Sequence, residues 1–215
     1  MSAFEKITPA EFCRLLRERG SAALRRQFAR FTWADLDTWV TGDCLVHRGP
    51  LVLTGRFKAP AFQTLILGDL FVEGLVDLED SVEEGGLFVA LGHVECDVFA
   101  NSYGKCAFVD GNLEATELVL NAFADSALSV MGNLRTRFFY GLDIWAEVGG
   151  RVEMEYGEGY CLPLGGEIRP VHPRHSADAS LALLDFAHTD DLGPHHLLDA
   201  IREGRPIFKP VRGRA

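Results

Sequence analysis

Two groups of side chains in this 215-residue chain are of the types that do chemistry: carboxylates between residues 73 and 155, and four histidines nearer the C-terminus. Paired carboxylates serve as the acid and the base of carbohydrate-cleaving enzymes. The carboxylates that recur at similar intervals are Glu73, Glu95, Asp97, Glu114, Glu153 and Glu155. Their chemistry depends on the elements that position them.

The histidines occur in two short motifs, His172 and His175 in HPRH, and His195 and His196 in PHH. A zinc site would combine such histidines with cysteine or carboxylate ligands at suitable spacing. Neither motif has these partners beside it, so we interpret all four as loop histidines. The sequence also contains no phosphate-binding glycine loop, nucleophile elbow or Ser-His-Asp pattern. We therefore expect no metal and no cofactor.

The cysteines and the N-terminus indicate a cellular compartment. Five cysteines are an odd number, and no two of them form a Cys-x-x-Cys pair. This usage is typical of reduced thiols packed in a cytosolic protein. The N-terminus MSAFEKITPAEF has no basic-then-apolar signal pattern, and no apolar run reaches the roughly 20 residues of a membrane span. We therefore expect a cytoplasmic protein with no membrane contact.

The elements that carry the carboxylates form a repeat. The stretches VDGNLEATELVLN (109–121) and VMGNLRTRFFYGL (130–142) share Gly-Asn-Leu at a distance of 21 residues. Alignment on the glycine gives six registers, at Gly49, Gly68, Gly92, Gly111, Gly132 and Gly150. Recurrence at nearly constant spacing is typical of stacked repeats.

Each register predicts a β-strand. The second and fourth residues after each glycine are mostly apolar, such as Leu113 and Ala115, and a period of two belongs to strands. Because no helical segment separates the strands, the pattern predicts a parallel β-solenoid of about five or six coils over residues 43–169. Each glycine would turn a corner where φ can be positive and the adjacent coil lies close. The spacing does not fit the six-residue period of left-handed acyltransferase solenoids.

Two further features of the repeat leave alternatives open. Asn101 and Asn121 fall near a second corner, where they would be either stacked amides or simple turn residues. The third and fifth residues after glycine would point outward. Carboxylates on adjacent coils there suggest a carbohydrate-cleaving site, while a solvated face in which Arg135 and Arg137 offset the carboxylates explains them equally well. Without a convergent catalytic set, we predict that the chain is not an enzyme.

The flanks of the repeat differ from it. Thr8, Pro9 and Glu11 match a helix N-cap, a first-turn proline and a capping box. Beyond the proline-rich RPVHPRH, the stretches SADASLALLDFAH and GPHHLLDAIREG predict two short helices. We predict a helical cap over residues 1–42 and a helical segment over 170–215, which cover the strand edges at both ends of the solenoid.

The stretch from Gly68 to about Gly166 resembles the bactofilin-like, polymer-forming cytoskeletal class of bacterial β-solenoids. The motifs that carry the resemblance are GDLFVEG, GNLEATELVLN, SALSVMGNLRTRFF and EVGGRVE. With the tail AIREGRPIF, the chain is more similar to solenoid proteins found beside polymorphic toxin genes. The resemblance implies either a self-assembling scaffold or an immunity-type protein. The helical flanks and one irregular coil of 24 residues depart from bactofilins and argue against polymerisation.

Charge favours the second of these functions. The chain has a net charge of -10, but residues 62–171 alone carry 19 Asp/Glu against 5 Lys/Arg. The negative electrostatic field of this region would repel nucleic acid and attract a basic protein partner. We therefore predict a non-enzymatic, acidic binding module of immunity type that neutralises a basic toxin, with the bactofilin-like scaffold as the alternative. The expected partner is a protein: the basic toxin, or a second copy of the chain in a homodimer. The predicted contacts are Phe71, Glu73, Glu95, Asp97 and Glu114.

Overall fold

The protein is described here by a computed structural model. It covers residues 4–31, 36–78, 86–102, 105–122, 127–142, 146–158, 161–164 and 194–208. These residues are mainly β and form a parallel β-solenoid of about five turns, which confirms the fold predicted from the repeat.

The described residues form two sheets and four helices. One sheet is built mainly of short strands: Glu5–Ile7 (β1), Cys44–His47 (β2), Gln63–Ile66 (β4), Leu87–Ala90 (β6), Cys106–Val109 (β8), Ala127–Val130 (β10), Ala146–Val148 (β12) and Cys161–Pro163 (β14). The other contains the long strands: Leu51–Lys58 (β3), Leu70–Asp77 (β5), Val94–Ser102 (β7), Leu113–Ala122 (β9), Leu134–Leu142 (β11) and Val152–Glu158 (β13). The helices are Pro9–Arg19 (α1), Ala22–Phe31 (α2), Leu36–Trp39 (α3) and Pro194–Arg202 (α4).

Each coil consists of one short strand, a glycine corner and one long strand, stacked in parallel register on the next coil. Leu113, for example, pairs with Val94 on one side and with Leu134 on the other. These inward side chains form one continuous core, in which Leu113 and Leu134 are fully buried. The repeated period-two alternation therefore marks the interior of the solenoid.

The long strands change register near their middle, for example between Cys96 and Val98. The phase of the alternation changes there as well, because Cys96 and Phe99 both belong to the inner core. Each coil therefore presents three outer faces. Face 1 is formed by the short strands from β2 to β14. Face 2 is formed by the first halves of the long strands, at 51–54, 70–73, 94–97, 113–117, 134–137 and 152–155. Face 3 is formed by their second halves.

The N-terminal helices pack on face 1. Phe12, Leu16 and Leu24 share one buried cluster with the outward side chains of the short strands. The rings of Phe28 and Phe108 lie 4.4 Å apart. Helix α1 begins as predicted, with Pro9 in its first turn and the Thr8 hydroxyl accepting the Glu11 N–H at 3.2 Å. Asp110 then accepts the Ser21 N–H at 2.7 Å, just before α2.

Helix α4 packs on face 3. Leu197 and Leu198 are buried against Leu118 and Phe138, together with other outward residues of the second strand halves. A buried ion pair fixes the helix: the Arg202 guanidinium donates to both oxygens of Asp77, at 3.0 and 3.1 Å. Asp77 is fully buried and also accepts from Arg56.

The prediction that helices cap both ends is not confirmed, because the described helices lie along the sides of the solenoid. Faces 1 and 3 carry apolar side chains that point outward. The helices bury these side chains, just as the stacked coils bury those that point inward. The outer edge of β2 is covered by a strand and not by a helix, since β1 pairs antiparallel with it. The stretch GPHHLLDAIREG contains α4, as predicted, whereas SADASLALLDFAH lies outside the described residues.

The first corner has a stack of glycines and a ladder of polar side chains. A Cβ on Gly111 would lie 2.8 Å from the carbonyl carbon of Gly92, so close approach of the coils requires glycine there. Positive φ was also predicted, but among the six corner glycines it occurs only at Gly49, at 102°. The residue after each glycine makes the next contact, and we call this row the corner ladder. The side chains of Asp69, His93, Asn112 and Asn133 each accept the backbone N–H of the corresponding residue one coil later, at 2.7–2.9 Å.

The second corner settles the question about Asn101 and Asn121. Both are fully buried in strands, and the Asn101 amide donates to the Asn121 side-chain oxygen at 2.9 Å. They are stacked amides rather than turn residues. The irregular coil of 24 residues does not break the stacking, because β4 still pairs in register with β6, and β5 pairs with β7 on both sides of their register shift. Its additional length falls between Asp77 and Leu87, where residues 79–85 lie outside the described residues.

Candidate interaction surface

Face 2 brings together all five predicted contact residues. Phe71, Glu95 and Glu114 are register partners on three successive coils and form one row. Glu73 and Asp97 follow two residues later on their own coils, at the bend of the strands. The alternation that buries Leu70, Val94 and Leu113 thus turns these neighbours outward.

Face 2 is the face that no described helix covers. Glu73, Glu95 and Thr116 are exposed, whereas the outward residues of face 3, such as Leu118, are buried under α4. We number the coils by their long strands, from β3 in coil one to β13 in coil six. In coil one, face 2 carries Val52, which is 73% exposed. Among the described residues, this sheet face is therefore uncovered.

Charge divides face 2 into two halves. On coils two to four, face 2 carries five carboxylates and no Lys or Arg, and we call this part of the face the acidic half: Glu73, Glu95, Asp97, Glu114 and Glu117. Coils five and six carry arginines that pair with carboxylates. Arg135 contacts Glu114 at 3.1 Å, and Arg137 contacts Glu155 at 3.4 Å. The arginines therefore do offset neighbouring carboxylates, but only at one end of the face.

Two shallow depressions show the shape of this face. One, of about 240 Å³, is lined in part by Phe71, Glu73, Glu95 and Asp97, with the buried Cys96 below them. Another, of about 390 Å³, lies among Glu114, the arginines and Glu155. Both are open and carry rows of charge, a shape suited to contact with a surface or an extended segment.

Glu117 belongs to the acidic half although sequence analysis did not place it there. It lies at the bend of β9, where two residues stand opposite the single Asp97 of β7. Partial burial and the nearby Asp97 raise the pKa of Glu117, while Arg137 lowers it. Only the longer spacing from Gly111 to Gly132 hinted at an additional residue in this coil.

The histidines and cysteines are the other candidate site residues. Within the described ranges, no three His, Cys, Asp or Glu residues are grouped as metal ligands. His172 and His175 lie outside the described residues, as do the side chains of His195 and His196. Among the described side chains, Cys13, Cys44, Cys96 and Cys106 are buried. Burial raises the pKa of Cys13 to about 12 and that of Cys44 to about 11, which suppresses their reactivity.

None of the helices in the described part of the chain has the length and apolar character to span a bilayer. Comparison with family models gave no match, and neither curated proteins nor solved structures yielded one. The geometry of face 2 is therefore the basis for a functional proposal.

Proposed function

We propose that the chain is a non-enzymatic binding module that docks a basic protein surface on face 2, and that it acts in the cytoplasm as an immunity-type protein masking a toxin. One observation carries this proposal. Faces 1 and 3 are covered by the chain's own helices, while face 2 is uncovered by the described residues and has five carboxylates in its acidic half.

The arrangement of the acidic half supports a cationic partner. Glu95 and Glu114 are direct register partners, so their like charges lie side by side. Such pairs destabilise a sheet, and a bound cation would relieve the repulsion. A field of one sign also accelerates encounter with a basic partner and disfavours acidic ones.

The alternative is a self-assembling, bactofilin-like scaffold. The free outer edge of β3 within the described residues favours it, because an unpaired strand edge can accept another chain. Two observations oppose it. Strand β1 runs antiparallel along β2, where a stacked parallel coil would have to pair. The acidic coils of two copies would also repel each other.

The first experiment measures binding of a fluorescent nona-arginine peptide by fluorescence anisotropy. We expect the variant E73Q/E95Q/D97N/E114Q to lose at least about tenfold in affinity, and rising salt to weaken binding to the unaltered chain. The matched control E5Q/E18Q/D43N/E203Q removes four exposed carboxylates outside face 2 and should stay within about twofold. Equal losses in both variants would contradict a site on face 2.

The second experiment separates the two functions. Sedimentation and electron microscopy at low and high salt should show compact particles, and filaments would refute the immunity role. Co-expression with the product of the neighbouring gene should give a complex that salt weakens. Survival of cells that produce this partner should then require the carboxylates of face 2.

A further inference from the structure

A group of arginines lies on the surface of the N-terminal helices. Helix α2 contains three arginines and no carboxylate, and Arg19 precedes it at the end of α1. All four side chains are exposed, and we call them the basic patch: Arg19, Arg25, Arg26 and Arg30. Only Arg30 has an ion pair with a described carboxylate, Glu147, at 3.4 Å. The described residues of the chain therefore leave most of this cationic surface unneutralised.

The basic patch and the acidic half of face 2 border the same corner. Ser21, which lies between α1 and α2, donates its N–H to Asp110 at 2.7 Å, directly before the corner glycine Gly111. Glu114 follows this glycine by three residues on face 2. Two surfaces of opposite charge therefore flank the corner ladder. Among the described residues, no ion pair joins them within one chain.

We propose that two copies of the chain form a reciprocal dimer, in which the basic patch of each copy binds the acidic half of the other. Because both surfaces border one corner, a twofold axis allows both contacts to form together, and the pair closes without further growth. A basic partner then has to displace the second copy from face 2. This competition rests on the proposed function, whereas the dimer does not.

The spacing of the charges supports this pairing. Arg26 and Arg30 are four residues apart in a helix, which separates them by about 6 Å along its axis. The backbones of register partners on adjacent coils, such as Glu95 and Glu114, are about 4.8 Å apart. The flexible arginine side chains can absorb a difference of about 1 Å. Arginines on one turn of α2 can therefore reach carboxylates on successive coils of the other copy.

The unpaired charges on the two surfaces also favour the contact. Glu73 and Glu95 have no ion pair with any described Lys or Arg, just as Arg19 and Arg26 have none with a described carboxylate. Pairing these groups across an interface offsets the repulsion between like charges on each surface. Each copy has a net charge of -10. At about 0.1 M salt, however, the Debye length is about 10 Å, so long-range repulsion is screened while pairs in contact persist.

The first experiment measures assembly of the full chain by analytical ultracentrifugation. We expect a dimer at about 0.2 mM protein and about 0.1 M salt, and a monomer at about 1 M salt, where even close charges are screened. The basic-patch variant R19Q/R26Q/R30Q should raise the dissociation constant of the dimer at least about tenfold. A chain that is monomeric under every condition would overturn the proposal.

A matched control is K6Q/K58Q/R205Q, which removes three exposed cations that belong to other surfaces. Its dissociation constant should stay within about twofold of that of the unaltered chain. An equal loss in the control and in the basic-patch variant would also overturn the proposal, because dimerisation would then depend on net charge alone.

Exchange of the charges tests the pairing itself. R19E/R26E/R30E makes both surfaces acidic, and E73R/E95R/E114R makes both basic, so each variant alone should be monomeric. Mixed one to one, the two variants should form a heterodimer, because each interface then joins opposite charges. Far-UV circular dichroism checks that both variants are folded. A mixture of folded variants that stays monomeric, or a variant that dimerises alone, would refute the proposal.

The nona-arginine peptide separates the dimer from the proposed function. In excess, it should convert the dimer to monomers, because the peptide and the second copy bind the same carboxylates. A dimer that binds the peptide without dissociating would contradict the shared site. Peptide binding by a chain that stays monomeric would refute the inference and leave the proposed function intact. A dimer with these surfaces, none of whose forms binds the peptide, would refute the proposed function and retain the dimer.

Discussion

The two halves of each long strand illustrate two ways in which a sheet surface is used. In β9, the first half alternates between buried Leu113 and Ala115 and outward polar neighbours. The second half is apolar on both sides, because Val119 faces the interior core while Leu118 and Leu120 face α4. The covered faces stabilise the fold by burying apolar side chains, whereas face 2 is polar and is not covered by any described helix.

The largest expected effect comes from placing a charge on the buried side of the first half. Leu113→Asp should abolish cooperative unfolding and the far-UV circular dichroism of the sheet, because a charge within the core has no partner there. The adjacent Glu114→Gln should change the free energy of unfolding by less than about 0.5 kcal/mol. A folded Leu113→Asp protein would contradict the assignment of this row to the core.

The next effect tests how α4 is attached to face 3. Asp77→Ala removes a fully buried carboxylate that pairs with two arginines, and it should lower the free energy of unfolding by about 3–5 kcal/mol. Urea denaturation measures this, and limited proteolysis should show cleavage near α4. The exposed pair of Lys6 and Asp43 is the control, and Asp43→Ala should cost less than about 1 kcal/mol. Similar losses in the two variants would refute the anchoring role.

A smaller effect concerns the corner between faces 1 and 2. Asn133→Ala leaves the Arg151 N–H without its side-chain acceptor and should lower the free energy of unfolding by about 1 kcal/mol. Asn133→Asp keeps an acceptor oxygen, so its free energy of unfolding should fall by less in the same denaturation series. If the free energy of unfolding falls equally in both variants, the corner ladder does not depend on this hydrogen bond.

These comparisons also show what the sequence could predict. The alternation around Leu113 identified the solenoid and the outward rows of face 2, because a period of two depends only on local geometry. The side packing of the helices was missed. Its signal was present in the uninterrupted apolar strands LFVA and CAFV, which are apolar because both of their sides are buried. The bend that exposes Glu117 depends on register between coils, which a single repeat unit does not reveal.

The smallest predicted effect is a change in titration on face 2. The pKa of Glu117 is raised by partial burial and by Asp97, so the folded state holds its proton to a higher pH than the unfolded state. The stabilising contribution of that proton is complete below the unfolded pKa and is lost as pH rises through the folded pKa. Asp97→Asn should lower the pKa of Glu117, and NMR titration of its side chain measures this. Arg137→Gln should raise it, and opposite directions would contradict the assigned causes.

The corner ladder has a direction, and this limits how the molecule could have grown. Each side chain of the ladder, from Asp69 to Asn133, is one rung, and it accepts the backbone N–H of the corresponding residue in the next coil along the chain, which we place above it. Pro50, below the first rung, has no N–H to donate, and the Arg151 side chain, above the last, contains only donors. A duplicated coil inserted between existing rungs would find a complementary neighbour on both sides, while one appended to either end would not. The ladder therefore restricts lengthening at this corner to insertion between its two terminal residues, Pro50 and Arg151.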